Sequence, residues 1–281
     1  MMNLQEILTV VRPIAWGAGD ILMQYYNAPE SLDIQSKGDE GNVTAADLAA
    51  NDFILDQLQQ HFPSTEFGYL SEEVEDSTDR LDKEWVWIID PMDGTSNFID
   101  RSGQFAVHIG LTYQQRPVLG VVGCPVRGVL FHGIQGAGAF MEDRDGNQTP
   151  IHVSPQDQLD QMVLVASGSH RSELMDKVIR QLPIGAEILV GSLGIKLTTI
   201  AEGRADFYLS ISGNKSAPKD WDYCAPEIIL SEAGGRLSRF DGSDLTYNNL
   251  EIRQFGAILG SNGNCHAQLC ERSQEALALF R

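Results

Sequence analysis

The chain is short of positive charge, of closely spaced cysteines and of long apolar runs. Its 20 Lys plus Arg face 39 Asp plus Glu, a formal net charge of −19 over 281 residues. Such a field repels nucleic-acid phosphates and anionic membrane surfaces, so neither is an expected partner. An anionic small molecule is admitted only where something local reverses the sign, and bound divalent cations are the strongest local charges available. The four cysteines, Cys124, Cys224, Cys265 and Cys270, include no C-x-x-C pair and are expected to be reduced packing residues. No His pair at helical spacing argues for zinc. No apolar run approaches the roughly 20 residues that a membrane-spanning helix needs. The opening "MMNLQEILTVVR" carries Glu6 early and has no basic segment ahead of its apolar residues, unlike a signal peptide. A cytoplasmic location is the default expectation.

What is present is 42% hydrophobic residues, enough for one large unit or two closely packed domains. Leu4, Ile7, Leu8, Val11, Ile14, Ala15, Ala18, Ile21, Leu22 and Tyr25 recur with helical period, and Pro13 is a point of kinking. A second helix opens at Thr44, where Thr44 and Asp47 stand in an N-cap arrangement and Leu48, Leu55, Leu58 and Phe62 supply one apolar face. From Phe67 to about Phe140, short apolar runs broken by Gly, Pro and Asp predict a largely antiparallel sheet. After "EDRDGNQTP" strands and helices alternate, which predicts an α/β layer. Its helices are expected near Glu173 to Leu182, over Lys196 to Glu202, from about Asp222 and from about His266. The change of pattern divides the chain into an N-terminal α+β domain, 1–155, with most of the candidate metal ligands, and a C-terminal α/β domain, 156–281, that completes the site.

Four segments put acids at the end of an apolar element. Asp47 lies in a helix's first turn, Glu72 and Glu73 follow "FGYL", Asp90 and Asp93 follow "WVWII", and Asp222 opens a helix. Strand ends and helix starts are rigid mounts for ligands, and an all-oxygen set suits Mg²⁺. Each acid has a plainer reading on its own. Asp93-Gly94 is a turn signal, Asp47 and Asp222 suit helix N-termini, and Glu72 and Glu73 begin a solvated acidic run. The combination favours the metal reading, because Asp90 leaves a strongly apolar strand where a surface turn needs no Pro-fixed pair of acids.

With "VTAAD" ending at Asp47, "SEE" at 71–73, "DPMDGT" at 90–95 and "WD…AGG" from Trp221-Asp222 to Gly235, the chain resembles the magnesium-dependent, lithium-sensitive phosphatases. These include inositol monophosphatase and 3'(2'),5'-bisphosphate nucleotidase. The resemblance implies a layered αβαβα sandwich of the inositol monophosphatase and fructose-1,6-bisphosphatase type. It implies Mg²⁺ held by Glu72, Asp90, Asp93, Asp222 and the Met92 carbonyl, with Gly94 and Thr95 offering backbone N–H groups to the phosphate. Asp47 and Thr95, with help from Glu72, would orient the attacking water and take its proton. One departure is "WDYCAPEIIL", where the family commonly has small residues after the WD. Here Pro226 is expected in a first helical turn, where it would shift the helix start.

The implied activity is hydrolysis of a phosphate monoester by metal-activated water. Ser169 and His170 in "ASGSHRS" and Lys196 in "GSLGIK" resemble the nucleotidase branch, CysQ-type proteins included, as does "SEE". The expected substrate is 3'-phosphoadenosine 5'-phosphate, cleaved to AMP and phosphate. Inositol-1-phosphate is the alternative and fructose-1,6-bisphosphate the third candidate. A reading of another class, a metal-binding protein with lapsed chemistry, is disfavoured because Thr95, Asp47 and all the matched acids are present. Lithium inhibition and a homodimer are expected from the resemblance alone.

Overall fold

A computed structural model of the chain describes residues 3–28, 34–36, 42–168, 171–213 and 217–280. In chain order the N-terminal elements are α1 (Leu4–Asn27), β1 (Ile34–Ser36), β2 (Asn42–Thr44), α2 (Ala45–His61), β3 (Phe67–Ser71), β4 (Trp85–Asp93), α3 (Thr95–Ile99), β5 (Ala106–Tyr113), β6 (Arg116–Cys124), β7 (Val129–Ile134), β8 (Gly138–Asp143) and β9 (Gln148–Pro150). They are followed by β10 (Val163–Ala166), α4 (Glu173–Ile179), β11 (Ala186–Leu189), α5 (Leu193–Ala201), β12 (Phe207–Ser212), α6 (Asp220–Glu232), β13 (Arg236–Arg239), β14 (Gly256–Ser261) and α7 (His266–Ala278). No helix among the described residues is long and apolar enough to cross a membrane.

Strands β3 to β9 form a seven-stranded sheet in sequence order, with β3 and β4 parallel and the later neighbours antiparallel. The five-stranded sheet has the order β11-β10-β12-β14-β13, and β10 runs parallel to both its neighbours. Three apolar cores separate the layers. One lies between α1 and α2 and the outer face of the large sheet, where Leu8, Val11 and Ile54 meet Trp87, Ile89 and Leu119. The central core joins the other face of that sheet to α5, α6 and the small sheet, through Val86, Ile88, Leu197, Ile229 and Ile258. The third packs α4 and α7 on the far side, with Val178 and Leu269 against Phe207 and Leu259. The result is an αβαβα sandwich whose middle helices are covered on both sides.

Helix α1 is continuous through Pro13. Two details differ from the sequence expectation. In α2 the buried face is Ala46, Ala50, Ile54 and Leu58, with Asp47 and Asn51 also turned inward, while Leu48 is 41% exposed. The helix is rotated by what its inner face must carry, and two of those residues are polar. Helix α6 starts at Asp220, so Pro226 lies inside it beyond the first turn, and Asp222 occupies the third helical position.

Helix α6 can lie unusually close to the large sheet because of a row of glycines. Gly110 pairs with Gly120, and Gly120 with Gly133, across β5, β6 and β7. A Cβ on Gly110 would sit 2.6 Å from Cys224 Sγ, and one on Gly120 would sit 2.5 Å from both Ala225 O and Ile228 Cγ2. Replacing Gly120 with alanine is therefore expected to destabilise the protein by about 1–3 kcal/mol through overpacking. Gly213→Ala, whose Cβ would meet nothing within 4 Å, is expected to stay within about 0.5 kcal/mol of wild type in urea unfolding. Equal effects at the two sites would contradict the close-packing account.

Candidate active site

Alternation along β4 sends Val86 and Ile88 to the central core, and Trp87 and Ile89 to the α1/α2 core. Asp90 continues the Ile88 side, and three further steps would ordinarily put Asp93 on the opposite face. Between them, however, the pairing changes from Asp90 opposite His108 to Asp93 opposite Ala106, three steps on β4 against two on β5. This β-bulge at Pro91-Met92 returns Asp93 to the face of Asp90. The Asp90 side chain closes the turn by accepting from Met92 N at 3.0 Å.

Helix α6 brings Asp222 to the same place, and ligand oxygens of Asp90, Asp93 and Asp222 all lie within 4.8 Å of one another. Glu72, at the end of β3, borders Asp90 closely enough to raise its pKa by charge and hydrogen bonding. Burial is the first cause that pushes Asp90 well above the usual carboxylate range, and the charges of Glu72, Asp93 and Asp222 add to it. Asp222 rises to about 6 through burial and the neighbouring Asp93. Burial also presses Asp93 upward, but His108, Ser192 and the Gly194 N–H more than offset it and hold the group below 3.8. Three mutually repelling carboxylates with oxygen donors suit a hard divalent cation, and Glu72 borders Asp90 among them.

A second pair flanks this cluster. Asp47 divides its two oxygens: Oδ2 accepts from Thr44 N and Thr44 Oγ1, each at 2.7 Å, while Oδ1 accepts from Thr95 Oγ1 at 3.1 Å. Thr95 Oγ1 also lies 3.4 Å from Met92 O, which ties the pair to the bulge. Burial raises Asp47 to about 6 despite the Thr44 hydrogen bonds, and the charge of Glu73 contributes. Gly94, with φ +98°, precedes α3, whose first residue is Thr95. The leading N–H groups of a helix have no partner within it, so those of Gly94 and Thr95 are suited to an anion.

Sequence reasoning missed the groups that hold these ligands. His108, wholly buried, places Nε2 3.3 Å from Asp93 Oδ2, in contact but off hydrogen-bond geometry, and its Nδ1 lies 3.2 Å from Trp221 O. A lone histidine inside "FAVHIGL" opposite an acid was the available signal. Ser192 Oγ and Gly194 N, the latter at 2.7 Å, both donate to Asp93 Oδ2. A Cβ on Gly194 would stand 2.0 Å from His108 Nε2, so only glycine fits there. Lys196, expected at the substrate, is buried in α5 with Nζ donating to Gly191 O. Burial lowers its pKa to about 8 against the attraction of Asp93 and Asp222. Ser169 and His170 lie outside the described residues.

The model of the inositol monophosphatase family matches residues 3–278. The chain is 34% identical over 249 residues to the 3'(2'),5'-bisphosphate nucleotidase CysQ of Aggregatibacter actinomycetemcomitans, covering 88% of this chain and 89% of that protein. It is likewise 34% identical over 260 residues to inositol monophosphatase 1 of Solanum lycopersicum, covering 89% and 90%. Among solved structures, the extragenic suppressor protein suhB of Bartonella henselae superposes with a TM-score of 0.82 at 27% identity, covering 96% and 99%.

The carboxylate cluster makes a signed prediction for the metal-free protein. Asp222, raised to about 6, and Asp90, raised well above 3.8, contribute stability that is complete below about pH 4 and is lost as pH rises through their folded values. Asp47 and Asp220, at about 6 and 7, add to the same slope, whereas Asp93, held below 3.8, is ionised in both states across this window. The melting temperature is therefore expected to fall between about pH 5 and pH 7, and Mg²⁺ to raise it more at pH 7 than at pH 5. A Mg²⁺ effect independent of pH would contradict the cluster's role.

Proposed function

The chain belongs to the inositol monophosphatase family, and from that premise we propose that it is a Mg²⁺-dependent phosphate monoester hydrolase acting on 3'-phosphoadenosine 5'-phosphate. The observation that carries the reading is the convergence of Asp90, Asp93 and Asp222 from two elements beside the Thr95–Asp47 pair. Glu72, Asp90, Asp93, Asp222 and the Met92 carbonyl would hold the metal. When bound, Mg²⁺ acidifies a water and neutralises charge on the phosphoryl and leaving oxygens. The N–H groups of Gly94 and Thr95 fix the phosphate.

Thr95 donates its own proton to Asp47 Oδ1, so its oxygen lone pairs are available to accept from the attacking water. The water oxygen bonds to phosphorus as the ester P–O bond breaks, the water's proton passes through Thr95 to Asp47, and the departing alkoxide takes a proton from solvent water to leave as the alcohol. Asp47, raised to about 6 by burial, is a stronger acceptor than an exposed aspartate and is still largely ionised at neutral pH. Thr95→Ala is expected to lower kcat about 10²–10⁴-fold with Mg²⁺ affinity little changed. Normal kcat with only a lower melting temperature would reduce Thr95 to a helix-start residue.

The substrate rests on the side chains around the metal ligands. Lys196 places a buried positive charge next to Asp93 and Asp222, and the reading assigns it to the substrate's second phosphate. Ser169 and His170 are assigned to the same substrate from sequence. Inositol-1-phosphate is the second reading, favoured by equal identity to the tomato inositol monophosphatase. Lithium sensitivity, a homodimer and a cytoplasmic location belong to the same proposal.

The test is kcat/KM for 3'-phosphoadenosine 5'-phosphate, inositol-1-phosphate and fructose-1,6-bisphosphate on wild type and Lys196→Ala. The bisphosphorylated nucleotide should be preferred. The substitution should weaken it about tenfold more than inositol-1-phosphate, the scale of one charge-assisted hydrogen bond. Preference for inositol-1-phosphate, or equal losses on all three, would overturn the assignment.

A further inference from the structure

The contacts on Asp93 are one-sided. Ser192 Oγ, Gly194 N and His108 Nε2 all approach Oδ2, and no hydrogen bond from a described residue falls on Oδ1. Two of these three come from the turn that opens α5, in the C-terminal half of the chain. That turn is itself fixed: Gly191 N donates to Gln104 Oε1 at 2.6 Å, Lys196 Nζ donates to Gly191 O, and Ser192 is only 1% exposed.

The direction of the Ser192 bond follows from its neighbours. Ile195 N donates to Ser192 Oγ at 3.2 Å, so the hydroxyl already accepts from the helix. An ionised carboxylate has no proton to give, so the single hydroxyl proton goes to Asp93. Backbone N–H, hydroxyl and carboxylate thus form a short polarised chain from the start of α5 to Asp93.

We infer that Ser192 is a positioning residue of the metal centre: by occupying Asp93 Oδ2 it turns Oδ1 toward the cation and lets the C-terminal half of the chain set the geometry of ligands carried by the N-terminal half. The inference rests on the proposed role of Asp93 as a metal ligand. Outer partners of ligating carboxylates typically change metal affinity about 10–100-fold when removed. The competing explanation is that Ser192 merely caps α5.

Three variants separate the two. Ser192→Ala loses both the hydroxyl and a good N-cap. Ser192→Gly loses the hydroxyl but remains a tolerable N-cap, and Ser192→Thr keeps both functions. Mn²⁺ affinity is measured by calorimetry on the full chain without substrate, alongside melting temperature. Both Ser192→Ala and Ser192→Gly are expected to bind Mn²⁺ at least about tenfold more weakly, while Ser192→Thr stays within a few-fold of wild type. If affinity instead follows the melting temperature, weak in alanine and normal in glycine, Ser192 is only a cap and the inference fails. Unchanged affinity in both also overturns it, leaving the metal reading intact. Absence of Mn²⁺ binding by wild type would overturn the metal reading together with this one.

Discussion

Like charges that cannot move apart set the terms for this site. Asp90, Asp93 and Asp222 keep ligand oxygens within 4.8 Å of one another. At an effective dielectric constant near 20, each ionised pair at such a range repels by on the order of 3 kcal/mol. A flexible set of acids would separate, and these are prevented from doing so by the elements that carry them. Asp90 and Asp93 are locked by the bulge in a strand buried on both faces, and Asp222 by a helix seated on the glycine row of β5 to β7. The packing of two cores therefore opposes the repulsion directly, and a cation relieves it.

The two helices that deliver Asp47 and Asp222 solve their own end problem with the same residues. Asp47 Oδ2 satisfies Thr44 N at 2.7 Å, and Asp222 Oδ2 satisfies Lys219 N at 2.6 Å, each from the third helical position. In Asp47 the second oxygen is then spent on Thr95. The capping reading of these acids and the functional one are thus compatible. The cap is what orients the carboxylate, removing one oxygen from play and directing the other. The sequence pattern Thr44-x-x-Asp47 made the first of these visible because a capping box is local in sequence.

Other parts of the site were invisible for a physical reason: they depend on relations between distant segments. Helical period and strand-breaking glycines located most of the elements but not the short β1, β2, α3 and β9, and the four acidic segments were recognisable in order. In α2 the expected Leu58 and Phe62 are buried and Leu55 packs against them, but Leu48 is exposed, because periodicity counts large apolar residues whereas the first turns of the inner face are built from Ala46, Ala50 and Ile54 around the polar Asp47 and Asn51. The bulge that brings Asp93 back to the face of Asp90 leaves no trace in β4 beyond Pro91, since it is defined by what lies opposite. Gly110, Gly120 and Gly133 read singly as breaks within strands, and only the register reveals them as one row under α6. His108 and Ser192 likewise acquire meaning only once they meet Asp93.

The charge distribution closes the argument about what can bind. Of the described arginines, Arg80 is paired with Asp76, Arg116 with Glu227, Arg127 with Glu202, and Arg171 with Asp176 and Glu187. These guanidinium groups are engaged where they stand, in a chain whose net charge is −19. Around the acidic cluster the positive charge comes from Lys196 and Lys219. They do not match the negative charge of Glu72, Asp90, Asp93 and Asp222. A phosphate can share that space only after the carboxylates have been neutralised. Cation affinity and phosphate affinity are therefore coupled by the composition of the site itself, and the side chains that aim the carboxylates act on both.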